Sequence, residues 1–298
     1  MEDETVSDGL LRSDRLELRG GVLFSKALSQ SAYRDRWDDD AADDPVRTAI
    51  ATNGSGLEDI ATLTGKIAPL WTRFPANTRV GTLIDIGAGY GRIELFLSAE
   101  RGLGCDTFCA IDISEAMLRR LQLYRERHDV FPRAAVHAIC TSASDLPLED
   151  ASVDLVISSA VFLHMGKSYV AQTLAELARV LKPGGNFIFD SSFPNRSNPS
   201  SYVPRLKPER FRKPHALKYW SRAEIERLID ASGLAARVGA FSIEASHYAA
   251  LPKRVGPLGV PLARKINARV GEPRRFRDVL TVMYSAYSRG ALAPTPAY

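Results

Sequence analysis

The stretch LIDIGAGYGRIELFL, Leu83–Leu97, runs from an apolar segment into Asp85, then three glycines at every second position, then a second apolar run. The first run reads as a strand ending near Asp85 and the second as a helix starting near Gly91. Between them lies a tight glycine turn. Gly87, Gly89 and Gly91 let the backbone take positive φ and come within hydrogen-bonding distance of a ligand. The helix start adds free N–H groups at the same place. A dinucleotide loop of the GxGxxG kind needs its third glycine at position 92, where Arg92 stands. The spacing therefore argues against a pyrophosphate.

From about Val80 onward, β-rich runs alternate with helical ones: VGTLIDI and GRIELFLSAE, CDTFCAIDI and SEAMLRRLQLYRER, RAAVHAI, VDLVISSAV and SYVAQTLAELARVL, NFIFDSS and SRAEIERLIDASG. Alternation of this kind predicts an α/β, doubly wound fold with a mostly parallel sheet and helices on both faces. Two late β-like runs, ARVGAFSIEA and DVLTVMYSAYS, are separated by a basic, proline-containing stretch instead of a helix. Ser114 is the expected N-cap of one helix. Ser221 with Glu224 forms a capping box for another. Pro183-Gly184-Gly185 is expected to stop a helix at Leu181 and turn the chain into the next strand.

The acids define the ligand. A carboxylate at Asp85 repels a pyrophosphate but attracts an ammonium; capping the turn is its other reading. Asp112 ends the strand FCAID, where a neighbouring strand tip meets a ribose and accepts from both hydroxyls. It also precedes the helix at Ser114, so an N-terminal charge role competes. Asp145, after RAAVHAI, can accept from an exocyclic adenine amine, although aspartates are common in loops. Leu146 is placed to pack on the adenine, and Ala88 is the small residue that the loop tolerates. Ile113 and Ser159, at the ends of the second and fourth strands, complete the expected cofactor contacts. Ammonium, ribose and adenine without phosphate describe S-adenosylmethionine.

The segments DIGAGYGR, AIDISEAML, SASDLPLEDASVDLVISS and LARVLKPGG make Val80–Ser192 resemble a class I S-adenosylmethionine-dependent methyltransferase. RWDDDAADDP and SSAVFLHM resemble the methyltransferases of bacterial biosynthetic clusters. The resemblance covers residues 196–277 hardly at all. It implies a seven-stranded sheet in the order 3-2-1-4-5-7-6 with strand 7 antiparallel. It also implies a methyltransferase domain over residues 79–298, with an N-terminal helical cover over 1–78. Tyr33 and Trp37 resemble the cover over the cofactor, with plain packing as the other reading.

His164 follows VDLVISSAVFL, at the carboxyl end of the fourth strand, where open α/β sheets bind ligands. A neutral imidazole there can take a proton from a hydroxyl as a methyl group moves; packing against the cofactor or the next helix is the alternative. His247, at the tip of the sixth strand, is a second catalytic candidate. The run Asp38, Asp39, Asp40, Asp43 and Asp44 reads as a solvated face and not as a metal site.

The chain of 298 residues carries a net charge of +4 that conceals an asymmetry. Residues 1–195 hold 20 Lys+Arg and 28 Asp+Glu, whereas residues 196–277 hold 18 basic and 6 acidic residues. Two insertions, at about 191–220 and 247–277, leave the sheet from its C-terminal edge and carry most of this basic excess. They are expected to form a lid favouring an anionic or hydroxyl-rich acceptor such as a saccharide. Nucleic acid is not expected, because no RNA-binding signature accompanies the charge. GVPLARKINARV can be drawn as a short amphipathic helix for peripheral membrane contact. The acidic N-terminus lacks a signal core, and three cysteines (Cys105, Cys109, Cys140) form no CxxC pair; both predict a cytoplasmic protein with free thiols.

The expected function is O-methylation of a saccharide or other small metabolite. N- or C-methylation, a nicotinamide-dependent oxidoreductase and a catalytically inactive cofactor-binding protein are the alternatives. The acceptor and the oligomeric state are not legible.

Overall fold

The computed structural model describes residues 9–28, 77–100, 102–159, 161–192, 220, 222–238, 241–247 and 282–288. Its strands are β1 (Leu16–Arg19), β2 (Val22–Ser25), β3 (Arg79–Ile86), β4 (Gly104–Asp112), β5 (Ala135–Cys140), β6 (Val153–Ser158), β7 (Leu181–Ser192), β8 (Phe241–His247) and β9 (Val282–Ser288). The helices are α1 (Arg92–Leu95), α2 (Glu115–His128), α3 (Lys167–Val180), α4 (Arg222–Ala231) and α5 (Leu234–Val238). A π-helical turn, Phe96–Glu100, prolongs α1.

The strands form one sheet in the order β1-β2-β5-β4-β3-β6-β7-β9-β8. β2 to β7 pair in parallel along β2-β5-β4-β3-β6-β7, and β9 lies antiparallel between β7 and β8. The seven strands β3 to β9 reproduce the expected order, with the expected antiparallel member. β1 and β2 are an addition that the resemblance did not foresee.

Within residues 9–28, the described part of the N-terminal segment up to position 76, a 3-10 turn (Ser13–Arg15) leads into this hairpin. Gly20 and Gly21 take φ of 54° and 80°, which suits a two-residue turn with positive φ at both positions. Leu16 pairs with Ser25 across it, and Phe24 pairs with Cys140 of β5. Arg119 and Gln122 of α2 then donate to the carbonyls of Gly20 and Gly21 at 2.9 and 2.8 Å. Residues 29–76, including Tyr33, Trp37 and the aspartates of 38–44, lie outside the described residues. So do most of the two basic insertions and Ser221.

Alternation along the strands divides the core into two layers. Ile84, Ile86, Cys109, Ile111, Ile139, Val156, Phe187 and Phe189 face α3, α4 and α5. Leu83, Phe108, Ala110, Ala138, Cys140, Leu155 and Ile157 face α1, its π-helical extension and α2. α2 starts as the sequence predicts: the Ser114 hydroxyl accepts from the Met117 N–H at 3.2 Å. It ends in a left-handed Asp129 with φ of 54°. α3 ends at Val180, and Pro183-Gly184-Gly185 falls within the bounds of β7. Leu181 pairs with Val153 and Asn186 with Leu155, so residues 182–185 bulge opposite Asp154. Among the described residues, no helix is long and apolar enough to cross a membrane.

The three cysteines are free and buried. Burial pushes the Cys105 thiol from 9.0 to about 12, and burial also raises Cys109. A thiol ionises more readily in the unfolded chain, so these groups favour the folded state below pH 9. Their contribution should fade as pH rises from about 9 towards about 12, as urea titrations at stepped pH would show. A thiol reagent at neutral pH should label none of the three in the native protein and all three after unfolding.

Candidate functional site

The site is built where the carboxyl ends of β3, β4, β5 and β6 meet. Strand order reverses there: β4 and β5 lie on one side of β3, β6 and β7 on the other. Ligands of open α/β sheets bind in the crevice at this point.

The glycine loop leaves β3 and is fixed from below. The N–H groups of Gly87 and Ala88 donate to the Ile111 carbonyl at 2.7 and 3.1 Å, and the Gly91 N–H donates to Ala88 at 3.1 Å. All three glycines have positive φ: 75° at Gly87, 56° at Gly89 and 93° at Gly91. They differ in what surrounds them. A Cβ on Gly87 would collide with Val161 Cγ2, whereas one on Gly89 would meet nothing within 4 Å. The loop is therefore packed at its root and open at Gly89, where a ligand can approach backbone.

Asp112 joins the loop to the next helix. Its Oδ2 accepts from the Gly89 N–H at 2.9 Å and its Oδ1 from the Ser114 N–H at 2.9 Å. Together these two bonds hold the carboxylate at the tip of β4, the place where a ribose is expected. The helix-capping and ligand-binding readings of Asp112 are thus compatible. Ile113 lies beside it, half-buried, and Ser159 follows β6 at the same edge. Asp85 is 1% exposed beneath the loop and engaged within the fold.

The two expected adenine contacts meet different surroundings. Asp145 is ion-paired with Arg15, which stands just ahead of β1. Leu146 is 0% exposed in the core layer beneath α3, leaving no face for an adenine to cover. Its N–H donates to Glu176 at 2.9 Å and its carbonyl accepts from Arg179 at 2.8 Å. The Arg179 guanidinium is held in its charged form, chiefly by the Glu176 hydrogen bond. Ser142, nearer the β5 tip, shares a 2.8 Å hydrogen bond with the Tyr169 hydroxyl, which accepts from the Ala143 N–H at 3.1 Å. Arg15 and Tyr169 escaped the sequence reading because neither carries a local signal; each meets this loop only through the fold.

His164 ends a 3-10 turn, Phe162–His164, directly after β6. It is half-buried, and its N–H donates to the Val161 carbonyl at 2.8 Å. His247 is the last residue of β8, paired with Val282. β8 runs parallel to β7 through the intervening β9, so His247 stands at the expected edge of the sheet. Among the described residues, no cluster of three or more His, Cys, Asp or Glu suits a metal ion.

The loop's asymmetry makes a prediction. Gly87→Ala combines left-handed strain with collision against Val161 and should cost more than the ~1–3 kcal/mol of the strain alone. Gly89→Ala carries only the strain. Urea unfolding of both variants should rank Gly87→Ala as the less stable.

Residues 84–189 match the family described as a methyltransferase domain. The biotin biosynthesis bifunctional protein BioHC of Cellvibrio japonicus is 28% identical over 74% of this chain and 41% of its own length. The dimethylglycine N-methyltransferase of Parasynechococcus marenigrum is 37% identical over 37% of this chain and 36% of its own. The malonyl-[acyl-carrier protein] O-methyltransferase of Methylococcus capsulatus is 34% identical over 37% of this chain and 36% of its own. The chain thus spans less than half the length of the curated relatives it matches.

Among solved structures, phosphoethanolamine N-methyltransferase 2 of Haemonchus contortus, in complex with S-adenosyl-L-methionine, is similar with a TM-score of 0.54. The identity is 16%, over 89% of this chain and 61% of that one. A chain of the Haloferax volcanii complex that contains the Trm112 methyltransferase activator also scores 0.54, at 21% identity over 85% of this chain and 97% of its own. These likenesses concern the fold. The glycine loop, the strand order and the matched residues 84–189 make this part of the chain a class I S-adenosylmethionine-dependent methyltransferase domain.

Proposed function

We propose that the chain transfers a methyl group from S-adenosylmethionine to a hydroxyl of a small acceptor, such as a saccharide or another small metabolite. The observation that carries the cofactor reading is the Asp112 carboxylate. It holds the glycine loop through Gly89 and stands at the carboxyl tip of β4, where the ribose of a nucleoside cofactor would meet it. The open space over Gly89 fits a ligand pressed against backbone.

When bound, S-adenosylmethionine supplies a methyl group on a positively charged sulfur. The protein's task is then to align an acceptor with that group and exclude water. His164, on the turn after β6, is assigned the acceptor proton: its imidazole takes it from the hydroxyl as the new bond to carbon forms. The choice of oxygen rests on this histidine, since an amine acceptor makes less demand on a base. The relatives' names include both N- and O-methyltransferases, so the domain by itself does not select the element. The basic stretch 196–277 favours an acceptor with negative charge or many hydroxyls.

Two variants test the assignments. Asp112→Ala should weaken binding of S-adenosylhomocysteine roughly 10- to 100-fold, the range for hydrogen bonds to a charged group. Calorimetry would show it, and unchanged affinity would remove Asp112 from the ribose site. Screening sugars, phenols and amines with labelled methyl donor identifies the acceptor. With a hydroxyl acceptor, His164→Ala should lower the rate roughly 10²- to 10⁴-fold while donor affinity holds. An undiminished rate would end the general-base assignment.

A further inference from the structure

We propose that Trp220 is a positioning residue that couples the glycine loop to the turn bearing His164. The inference rests on the cofactor reading above and adds a residue to it.

The turn from Val161 to Met165 is held by three independent contacts. At its start, Val161 occupies the space in which a Cβ on Gly87 would stand. Any displacement of the root of the glycine loop therefore bears on Val161. In its middle, the Phe162 ring is fully buried, with centroids 4.8 Å from Phe189 and 6.0 Å from Phe187. A close-packed ring of this kind transmits displacement and does not absorb it. The third contact is polar. The Phe162 carbonyl accepts from the Met165 N–H at 3.2 Å and from the Trp220 indole Nε1–H, also at 3.2 Å.

Trp220 is 5% exposed and precedes α4 by two positions. In the sequence it follows the basic stretch from Arg196 to Lys218. An indole N–H is a donor only, on a rigid ring, so its bond to a carbonyl is directional. His164 lies between the two ends of this arrangement, with its own N–H on the Val161 carbonyl. The backbone of the candidate base is thus set from the cofactor side by Gly87 and Val161. It is set also by the buried Phe162 ring and by the Trp220 indole on the Phe162 carbonyl. A ligand that settles on the glycine loop moves this turn, and the indole reports the movement.

The test uses the full chain labelled with ¹⁵N and titrated with S-adenosylhomocysteine. The chain has three tryptophans, so three indole N–H signals are expected. Trp220 is the signal absent from Trp220→Phe; if that variant does not fold, Trp37→Phe and Trp71→Phe assign it by elimination. The Trp220 signal should shift with the same saturation curve that calorimetry records. In Val161→Ala, compared at ligand concentrations that calorimetry shows to be saturating for that variant, the shift should shrink at least twofold. If calorimetry shows binding while the Trp220 signal stays fixed, or if its shift is the same in Val161→Ala, the coupling is wrong and the cofactor reading stands. If calorimetry shows no binding, the cofactor reading fails and takes this inference with it.

Discussion

One carboxylate organises the site. Asp112 sits where β4 ends, and its two oxygens reach in different directions, to the Gly89 N–H and to the Ser114 N–H. Hydrogen bonds to a charged group contribute roughly 1.5–3 kcal/mol each. Through these two, the end of β4 fixes the shape of the loop that follows β3 and the start of α2. The acid sits at a helix N-terminus, where the backbone dipole favours negative charge. It adds a charged anchor at Gly89 to the backbone bonds that hold the root of the loop.

The other side of the site depends on a clamp. Residues 141–150 run from β5 towards β6 between two walls. On one wall, α3 supplies Tyr169 to Ser142 and Ala143, Glu176 to Leu146, and Arg179 to Leu146, Leu148 and Asp150. On the other, Leu11 bridges Leu148, the Arg12 N–H donates to the Pro147 carbonyl at 3.0 Å, and Arg15 pairs with Asp145. Individual surface ion pairs contribute about 0–1 kcal/mol. Here they act with backbone bonds and with the β2–β5 pairing, so the N-terminal hairpin becomes part of the sheet and lies along the site.

Legibility in the sequence followed locality. LIDIGAGYG joins strand, acid and glycines within nine residues, and the strand, the positive-φ glycine turn and the helix follow as that pattern predicts, whereas the strand order follows the family resemblance. Ser114 caps α2 because capping is a property of adjacent residues. The hairpin was missed although LELR-GG-VLFS carries a turn signal, since its partner strand β5 lies far along the chain. Asp145 and Leu146 show the limit from another side. Loop position suggested a ligand for both, but Arg15 pairs with the first and the core buries the second, and neither contact has a local pattern. Trp220 is a similar case: nothing near it in the sequence points to the Phe162 carbonyl.

The central claim is that the glycine loop and Asp112 hold a sulfonium nucleoside without phosphate. The most direct test is calorimetric titration of the unmodified protein with S-adenosylhomocysteine and, separately, with a pyridine dinucleotide. The account predicts saturable heat at one site for the first and none for the second. Heat from the dinucleotide alone would contradict it.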